Sequence, residues 1–210
     1  MIRVLVGDDH AIVRRGLRQV LSETEDIEVG AEAATAGDVL RLVRDERFHV
    51  VVLDISLPGG NGIDLVREIR RDPAAPPVLI LTMHPESQYA VRAIKAGAAG
   101  FMTKESAPEK LVEAVRKVAA RGRWVSAELA ETLASVLAGE GAGAPHDRLT
   151  DRELEVMKLL ASGKTVSEIA GDLTLSVKTV STHRTRILGK MGLRNNAELT
   201  QYAVRNGLVG

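Results

Sequence analysis

Five short apolar runs rich in β-branched residues are spread through the first half of the chain, and each is followed by an amphipathic stretch. The runs are Ile2–Gly7, Ile27–Ala31, Val50–Asp54, Val78–Thr82 and Ala99–Met102. Between and after them, Ala11–Leu21, Gly37–Arg47, Gly62–Arg71, Gln88–Ala96 and Pro108–Ala119 carry apolar residues at helical spacing. Val50-Val51-Val52-Leu53 has no polar alternation, which suits a strand covered on both faces. Five such β/α units imply an α/β fold with a doubly wound, five-stranded parallel sheet.

The pattern breaks after Ala120. Arg121-Gly122-Arg123-Trp124-Val125 is followed by a short helix-like stretch, Ala127–Leu137, and Gly139-Glu140-Gly141-Ala142-Gly143-Ala144-Pro145 reads as a flexible linker. From Arg148 onward three or four helical segments follow, over 151–162, 166–173, 177–191 and 195–205, with no strand signal. Thr150 and Glu153 form a Thr-x-x-Glu capping box and Ser176 can cap the third segment. The expected organisation is a domain over 1–121, a linker with a short helix over 122–147, and a small all-α domain over 148–210.

Composition narrows the function classes. With 45% hydrophobic and 27% charged residues the chain resembles an ordinary globular protein, and 210 residues suit two small domains. The absence of cysteine removes disulfides, thiol nucleophiles and thiolate metal sites, and the five histidines show no HxxxH or HExxH spacing for zinc. The first apolar run stops at Asp8-Asp9, too soon for a signal peptide or a membrane span, so a cytoplasmic protein with no membrane partner is expected. The net charge of zero conceals an asymmetry: residues 148–210 hold ten Lys/Arg against six Asp/Glu, while residues 1–121 hold seventeen against eighteen.

In an open parallel sheet, ligands bind beyond the carboxyl ends of the strands. That rule selects Asp8 and Asp9 after the first run, Asp54 at the end of the third, Thr82 at the end of the fourth and Lys104 just past the fifth. Three carboxylates on one rim would repel one another unless a cation shared the site, and Mg²⁺ prefers such oxygen donors. Lys104 and Thr82 supply a positive charge and a hydroxyl suited to phosphoryl oxygens. Taken singly, each residue has an ordinary reading as a helix cap or a surface lysine. All five on one rim is a far more specific pattern.

These residues, with Val4-Leu5-Val6-Gly7-Asp8-Asp9-His10, Leu53-Asp54-Ile55-Ser56-Leu57-Pro58-Gly59 and Gly100-Phe101-Met102-Thr103-Lys104, make residues 1–121 resemble the flavodoxin-like receiver domain of two-component response regulators. The resemblance implies that Asp54 accepts a phosphoryl group from a sensor histidine kinase. It implies Mg²⁺ held by Asp9, Asp54 and the Ser56 carbonyl, with Asp8 acting through water. It also implies a switch in which Thr82 moves toward the phosphoryl group and Phe101 turns inward behind it. Ser56 and His84 are implied to tune hydrolysis of the phosphoaspartate.

Residues 148–210 resemble the helix-turn-helix output domain of the NarL/LuxR family, on Leu149-Thr150-Asp151-Arg152-Glu153-Leu154-Glu155-Val156, Glu168-Ile169-Ala170 and Ser176-Val177-Lys178-Thr179-Val180-Ser181-Thr182-His183. Val166 stands where asparagine is usual in that family. On the third helix, Val177, Val180, Ile187, Leu188 and Met191 form the expected inward stripe. Between Lys178 and Arg194 there are five basic residues and no acidic one. A helix of this kind can lie in the major groove of double-stranded DNA. The resemblance implies base contacts from Ser181, Thr182 and Thr185, and backbone contacts from Lys178, Thr179, Arg184, Arg186 and Lys190. His183 matches a family position that serves either DNA or packing. A homodimer on DNA is expected, with Asn195–Arg205 and its Leu199, Tyr202 and Ala203 as the candidate surface, and RNA polymerase as a further partner.

Two other readings compete. Asp nucleophiles with Mg²⁺ also occur in haloacid dehalogenase-like phosphatases, but the second aspartate two residues after the nucleophile is here Ser56. The chain is therefore not expected to be an enzyme beyond self-phosphorylation and autodephosphorylation at Asp54. The other reading is a phosphorylation-independent dimerisation module, against which the intact Asp8, Asp9, Asp54, Thr82 and Lys104 argue.

Overall fold

The computed structural model describes residues 1–106, 108–137 and 144–209, which form two compact units divided between residues 138 and 139. In the first unit, strands β1 (Ile2–Gly7), β2 (Ile27–Ala33), β3 (Val50–Leu53), β4 (Val78–Thr82) and β5 (Gly100–Thr103) form one sheet in the order β2-β1-β3-β4-β5. Every pairing is parallel. The expected doubly wound sheet is present.

Register is set by burial on both faces. Val4, Val6, Val50, Val52, Leu79, Leu81 and Met102 project to one side and pack with Leu21, Leu111, Ala114, Val115 and Val118 from α1 (Ala11–Ser22) and α5 (Pro108–Ala119). The alternating residues Leu5, Val51, Leu53, Ile80 and Phe101 are equally buried on the opposite side. There lie α2 (Ala36–Asp45), α3 (Gly62–Ile69) and α4 (Glu86–Lys95). A slip of one residue would exchange these two sets, so the strand ends are fixed relative to one another. Gly7 pairs with Leu53, Leu53 with Ile80, and Thr82 with Thr103.

Residues 122–137, expected as the start of a linker, are part of the first unit. Trp124 donates its N–H to the Ala99 carbonyl at 2.9 Å and accepts from Phe101 N at 3.1 Å, forming a parallel bridge at Gly100 beside β5. Helix α6 (Ala127–Leu137) then packs on α4, where Ser126 Oγ donates to Glu86 Oε1 at 2.6 Å and Leu129 is buried. Exposed backbone at the edge of β5 is the physical reason for this attachment, because it offers hydrogen bonds to any following segment. The glycine-rich part of the expected linker, 139–143, lies outside the described residues.

In the second unit a 3-10 turn (Pro145–Arg148) leads into α7 (Asp151–Ala161), α8 (Val166–Asp172), α9 (Val177–Met191) and α10 (Asn196–Arg205). Thr150 and Glu153 form the expected capping box, Thr165 and Glu168 form a second one, and Ser176 Oγ accepts from Thr179 N. Val180, Ile187 and Met191 face the core as expected, but Val177 is 51% exposed. At 3.6 residues per turn Val177 falls about 60° off the line of the other three. Leu199 and Ala203, expected at a dimer surface, are fully buried in the domain's own core, and the Tyr202 hydroxyl bonds His146 Nδ1 at 2.7 Å. The exposed positions of α10 are instead Ala197, Gln201, Val204 and Arg205.

Gly62 ties this scaffold to the residues after β3. Its N–H donates to the Ile55 carbonyl, while Asn61 caps α3 by accepting from Ile63 N. A Cβ on Gly62 would lie 2.5 Å from the Asp54 carbonyl oxygen and 2.6 Å from Ile55 Cα, both backbone atoms that cannot swing aside. Gly62→Ala is therefore expected to destabilise the first unit by about 3 kcal/mol. Gly16→Ala, in the middle of α1 with open space around the new methyl, should stabilise it by about 0.5–1 kcal/mol. Urea unfolding followed by the fluorescence of Trp124, the single tryptophan, checks both.

Candidate functional site

The fixed strand ends bring Asp8, Asp54, Thr82 and Lys104 to one rim, at the point where chain connections leave β1 and β3 in opposite directions. Backbone bonds hold each one: Asp8 N to the Ala33 carbonyl, Asp54 N to Gly7, and Lys104 N to Thr82. Asp8, Asp54 and Thr82 are 1%, 4% and 1% exposed. Lys104 Nζ stands 2.5 Å from Asp8 Oδ2 and 2.8 Å from Asp54 Oδ2, so one ammonium balances two buried carboxylates. The other oxygen of Asp54 accepts from Ile55 N at 2.7 Å, and that of Asp8 from His10 N at 2.8 Å. Burial pushes the Lys104 ammonium toward deprotonation, but its bonds to Asp54 and Asp8 outweigh that and raise its pKa above the ordinary 10.5.

Asp9 lies at the mouth of the site, more exposed than Asp8, and its Oδ1 is 2.6 Å from His10 Nδ1. Asp8, Asp9, His10 and Asp54 can each bring a ligand atom to within 4.8 Å of the others. Three carboxylates in that arrangement fit a hard divalent cation such as Mg²⁺. His10 was not among the expected site residues. A search for spaced histidine pairs passes over it, whereas its position next to Asp9 would have found it.

Ser56 and His84 meet across the same rim, with Ser56 Oγ 2.9 Å from His84 Nε2 and the His84 ring 4.6 Å from that of Tyr89. Thr82 Oγ1 accepts from His84 N at 3.3 Å. Phe101 is already buried. The inward turn expected of it is not a movement left for it to make from this conformation.

In the second unit, α9 carries the remaining expected residues. Lys178, Ser181, Thr182, Thr185 and Arg186 are exposed and Thr179 is half-buried. Thr182 Oγ1 donates to the Lys178 carbonyl and Thr185 Oγ1 to the Ser181 carbonyl, which orients both side chains along the helix surface. Arg184 and Lys190 are engaged within the domain: Arg184 Nε donates to Asn196 Oδ1 at 2.7 Å, and Lys190 Nζ to Glu153 Oε2 at 2.6 Å. His183 is half-buried, and its Nδ1 is a buried side-chain atom without a hydrogen-bond partner among the described residues. Burial pushes its pKa down; Glu153 opposes this, while Arg152, Arg186 and Lys190 reinforce it. A neutral imidazole turned partly inward favours packing over DNA contact.

Comparison with known proteins gives one consistent result. Residues 4–116 match the response regulator receiver domain, and residues 147–203 match the bacterial regulatory proteins of the luxR family. The chain is 36% identical over 209 residues to the response regulator UvrY of Escherichia coli, covering 99% of this chain and 96% of that one. It also resembles RcsB from Salmonella enterica serovar Typhimurium bound to a promoter in the presence of the phosphomimetic BeF3-, at 28% identity and a TM-score of 0.59, covering 96% of this chain and 97% of that one. A structure of two RcsB dimers bound to two parallel DNAs is similar at 27% identity and a TM-score of 0.59, covering 97% and 98%.

The shared ammonium has a measurable consequence. Lys104→Met would leave two buried carboxylates without their counter-charge and is expected to lower stability by about 3 kcal/mol near neutral pH. Because the Lys104 pKa is raised on folding, its contribution is complete below 10.5 and fades only as the pH climbs through the raised value. Urea unfolding of wild type and Lys104→Met at pH 7 should therefore show the full gap, and an equal midpoint for both would contradict the assignment.

Proposed function

The chain belongs to the two-component response regulators of the NarL/FixJ type, a receiver domain joined to a LuxR-type DNA-binding domain, and on that premise we propose that phosphorylation of Asp54 controls its binding to promoter DNA. A receiver implies a sensor histidine kinase as the donor. The observation that carries the reading is the Asp8–Lys104–Asp54 arrangement beside Thr82 at the sheet's switch point.

Asp54 Oδ attacks the phosphorus of a phosphohistidine, the P–N bond breaks, and the imidazole leaves as an acyl phosphate forms on the aspartate. Asp9, Asp54 and the Ser56 carbonyl would hold Mg²⁺, with Asp8 acting through water, and the ion would neutralise charge on the phosphoryl oxygens. Lys104 exchanges its contact with Asp54 Oδ2 for a phosphoryl oxygen, which conserves its charge pairing. The Thr82 hydroxyl donates to a second oxygen. Water later hydrolyses the acyl phosphate, with Ser56 and His84 at the mouth governing its approach, so turnover is confined to the protein's own Asp54.

In the output domain, Ser181, Thr182 and Thr185 on the exposed face of α9 read base edges, while Lys178, Thr179 and Arg186 meet phosphates. Arg184 keeps its outer guanidinium nitrogens for the backbone. A homodimer on two half-sites would use the outward face of α10, Ala197, Gln201 and Val204, in place of the buried Leu199 and Ala203. Action in the cytoplasm and contact with RNA polymerase complete the reading. Among the described residues, no helix is long and apolar enough to cross a membrane.

Incubation with a small-molecule phosphodonor and Mg²⁺ is expected to label wild type and not Asp54→Ala, and a chelator should abolish the label. Undiminished labelling of Asp54→Ala would overturn the acceptor assignment. On DNA, Lys178→Ala should weaken binding to all sequences alike and reduce the salt slope by about 1, whereas Thr182→Ala should relax discrimination at one base position by about 1–3 kcal/mol. Titrations over a salt series on matched and substituted duplexes distinguish the two.

A further inference from the structure

The first turn of α7 holds both helices of the helix-turn-helix. Arg152 Nη2 donates to the Leu173 carbonyl at the C-terminus of α8 at 2.8 Å, and its Nη1 is fixed by Glu155 Oε2 at 2.7 Å. The next residue, Glu153, accepts from Lys190 Nζ of α9 at 2.6 Å and from Thr150 N at 2.8 Å. Its side chain is only 4% exposed. Between these two anchor points lies the turn, where Thr174 has φ of +52°, a left-handed conformation rare for a β-branched residue. Such a conformation persists where its surroundings over-determine it, and Arg152 fixes the carbonyl immediately before it.

We propose that Arg152 and Glu153 are positioning residues for DNA recognition, and that Lys190 is the tether through which Glu153 holds α9 rather than a contact to DNA phosphate. Arg152 fixes the end of α8 and Glu153 fixes the last turn of α9, so together they set the angle at which the helix enters the groove. Lys190 cannot leave for a phosphate without stranding a buried carboxylate, and an exposed phosphate contact returns less than that loss. Lys178, at the opposite end of α9, has no such commitment among the contacts described.

The proposal rests on α9 being the DNA-reading helix, and the experiment separates the two claims. The full-length chain and its variants are titrated, over a salt series, with a duplex that wild type selects from a random-sequence pool and with an unrelated duplex. Lys190→Met and Glu153→Gln are each expected to weaken the selected duplex by about tenfold, with the double variant no weaker than the worse single one. Binding to the unrelated duplex and both salt slopes should stay at wild-type values. Lys190→Arg, which keeps the ion pair, should restore binding to the selected duplex. A slope lowered by about 1 in Lys190→Met would make Lys190 a phosphate contact and overturn the proposal. Equal losses on both duplexes would also overturn it, leaving the pair a purely structural role. Lys178→Ala serves as the reference: if it leaves both affinity and slope unchanged, the assignment of α9 to DNA falls, and the proposal falls with it.

Discussion

One lysine ammonium between two buried carboxylates sets the terms for the whole first unit. Lys104 can meet Asp8 and Asp54 together only if β1, β3 and β5 end at matching heights. Those heights follow from packing on both faces of the sheet, because a one-residue slip would send Val52 and Leu53 to the wrong sides. The hydrophobic register and the polar site are therefore a single constraint seen from two ends. The arrangement also prepares phosphoryl transfer, since a group that balances carboxylate charge at rest can balance phosphoryl charge afterwards.

The second unit reaches a comparable result with helices alone. Its core residues Leu154, Val156, Met157, Ile169, Val180, Ile187 and Leu199 bring the helices together, but apolar packing tolerates small changes of angle. Directional bonds remove that freedom. Arg152 on the Leu173 carbonyl and Glu153 on Lys190 supply them from two adjacent positions of one helix turn. The result leaves Lys178, Ser181, Thr182, Thr185 and Arg186 exposed along one side of α9.

Much of the fold and of the rim is legible in the sequence. The five strands, their parallel order and the convergence of Asp8, Asp54, Thr82 and Lys104 follow from period, β-branching and the rule that sites form at strand ends. The misreadings have local causes. Trp124 and α6 looked like linker because a lone backbone bridge at β5 leaves no periodic pattern. Val177 looked inward because it is a valine close to the right phase, and Leu199 and Ala203 looked available for a partner although their own domain buries them. His10 escapes the metal-site pattern because it is a lone histidine without a second one at ligand spacing, although its partner Asp9 is the adjacent residue.

The amino-acid sequence by itself determined the division into an α/β and a helical domain, the identity of the polar residues on the rim, and the concentration of basic and hydroxyl side chains on one helix. Each of these depends on periodicity or on neighbours close along the chain, which a linear reading captures. Only the tertiary structure decided that Lys104 spans Asp8 and Asp54, that Lys190 belongs to Glu153, and that Phe101 is already inside. Those outcomes turn on distances of a few ångströms between residues 37 to 96 positions apart, where the choice of partner depends on how whole elements pack.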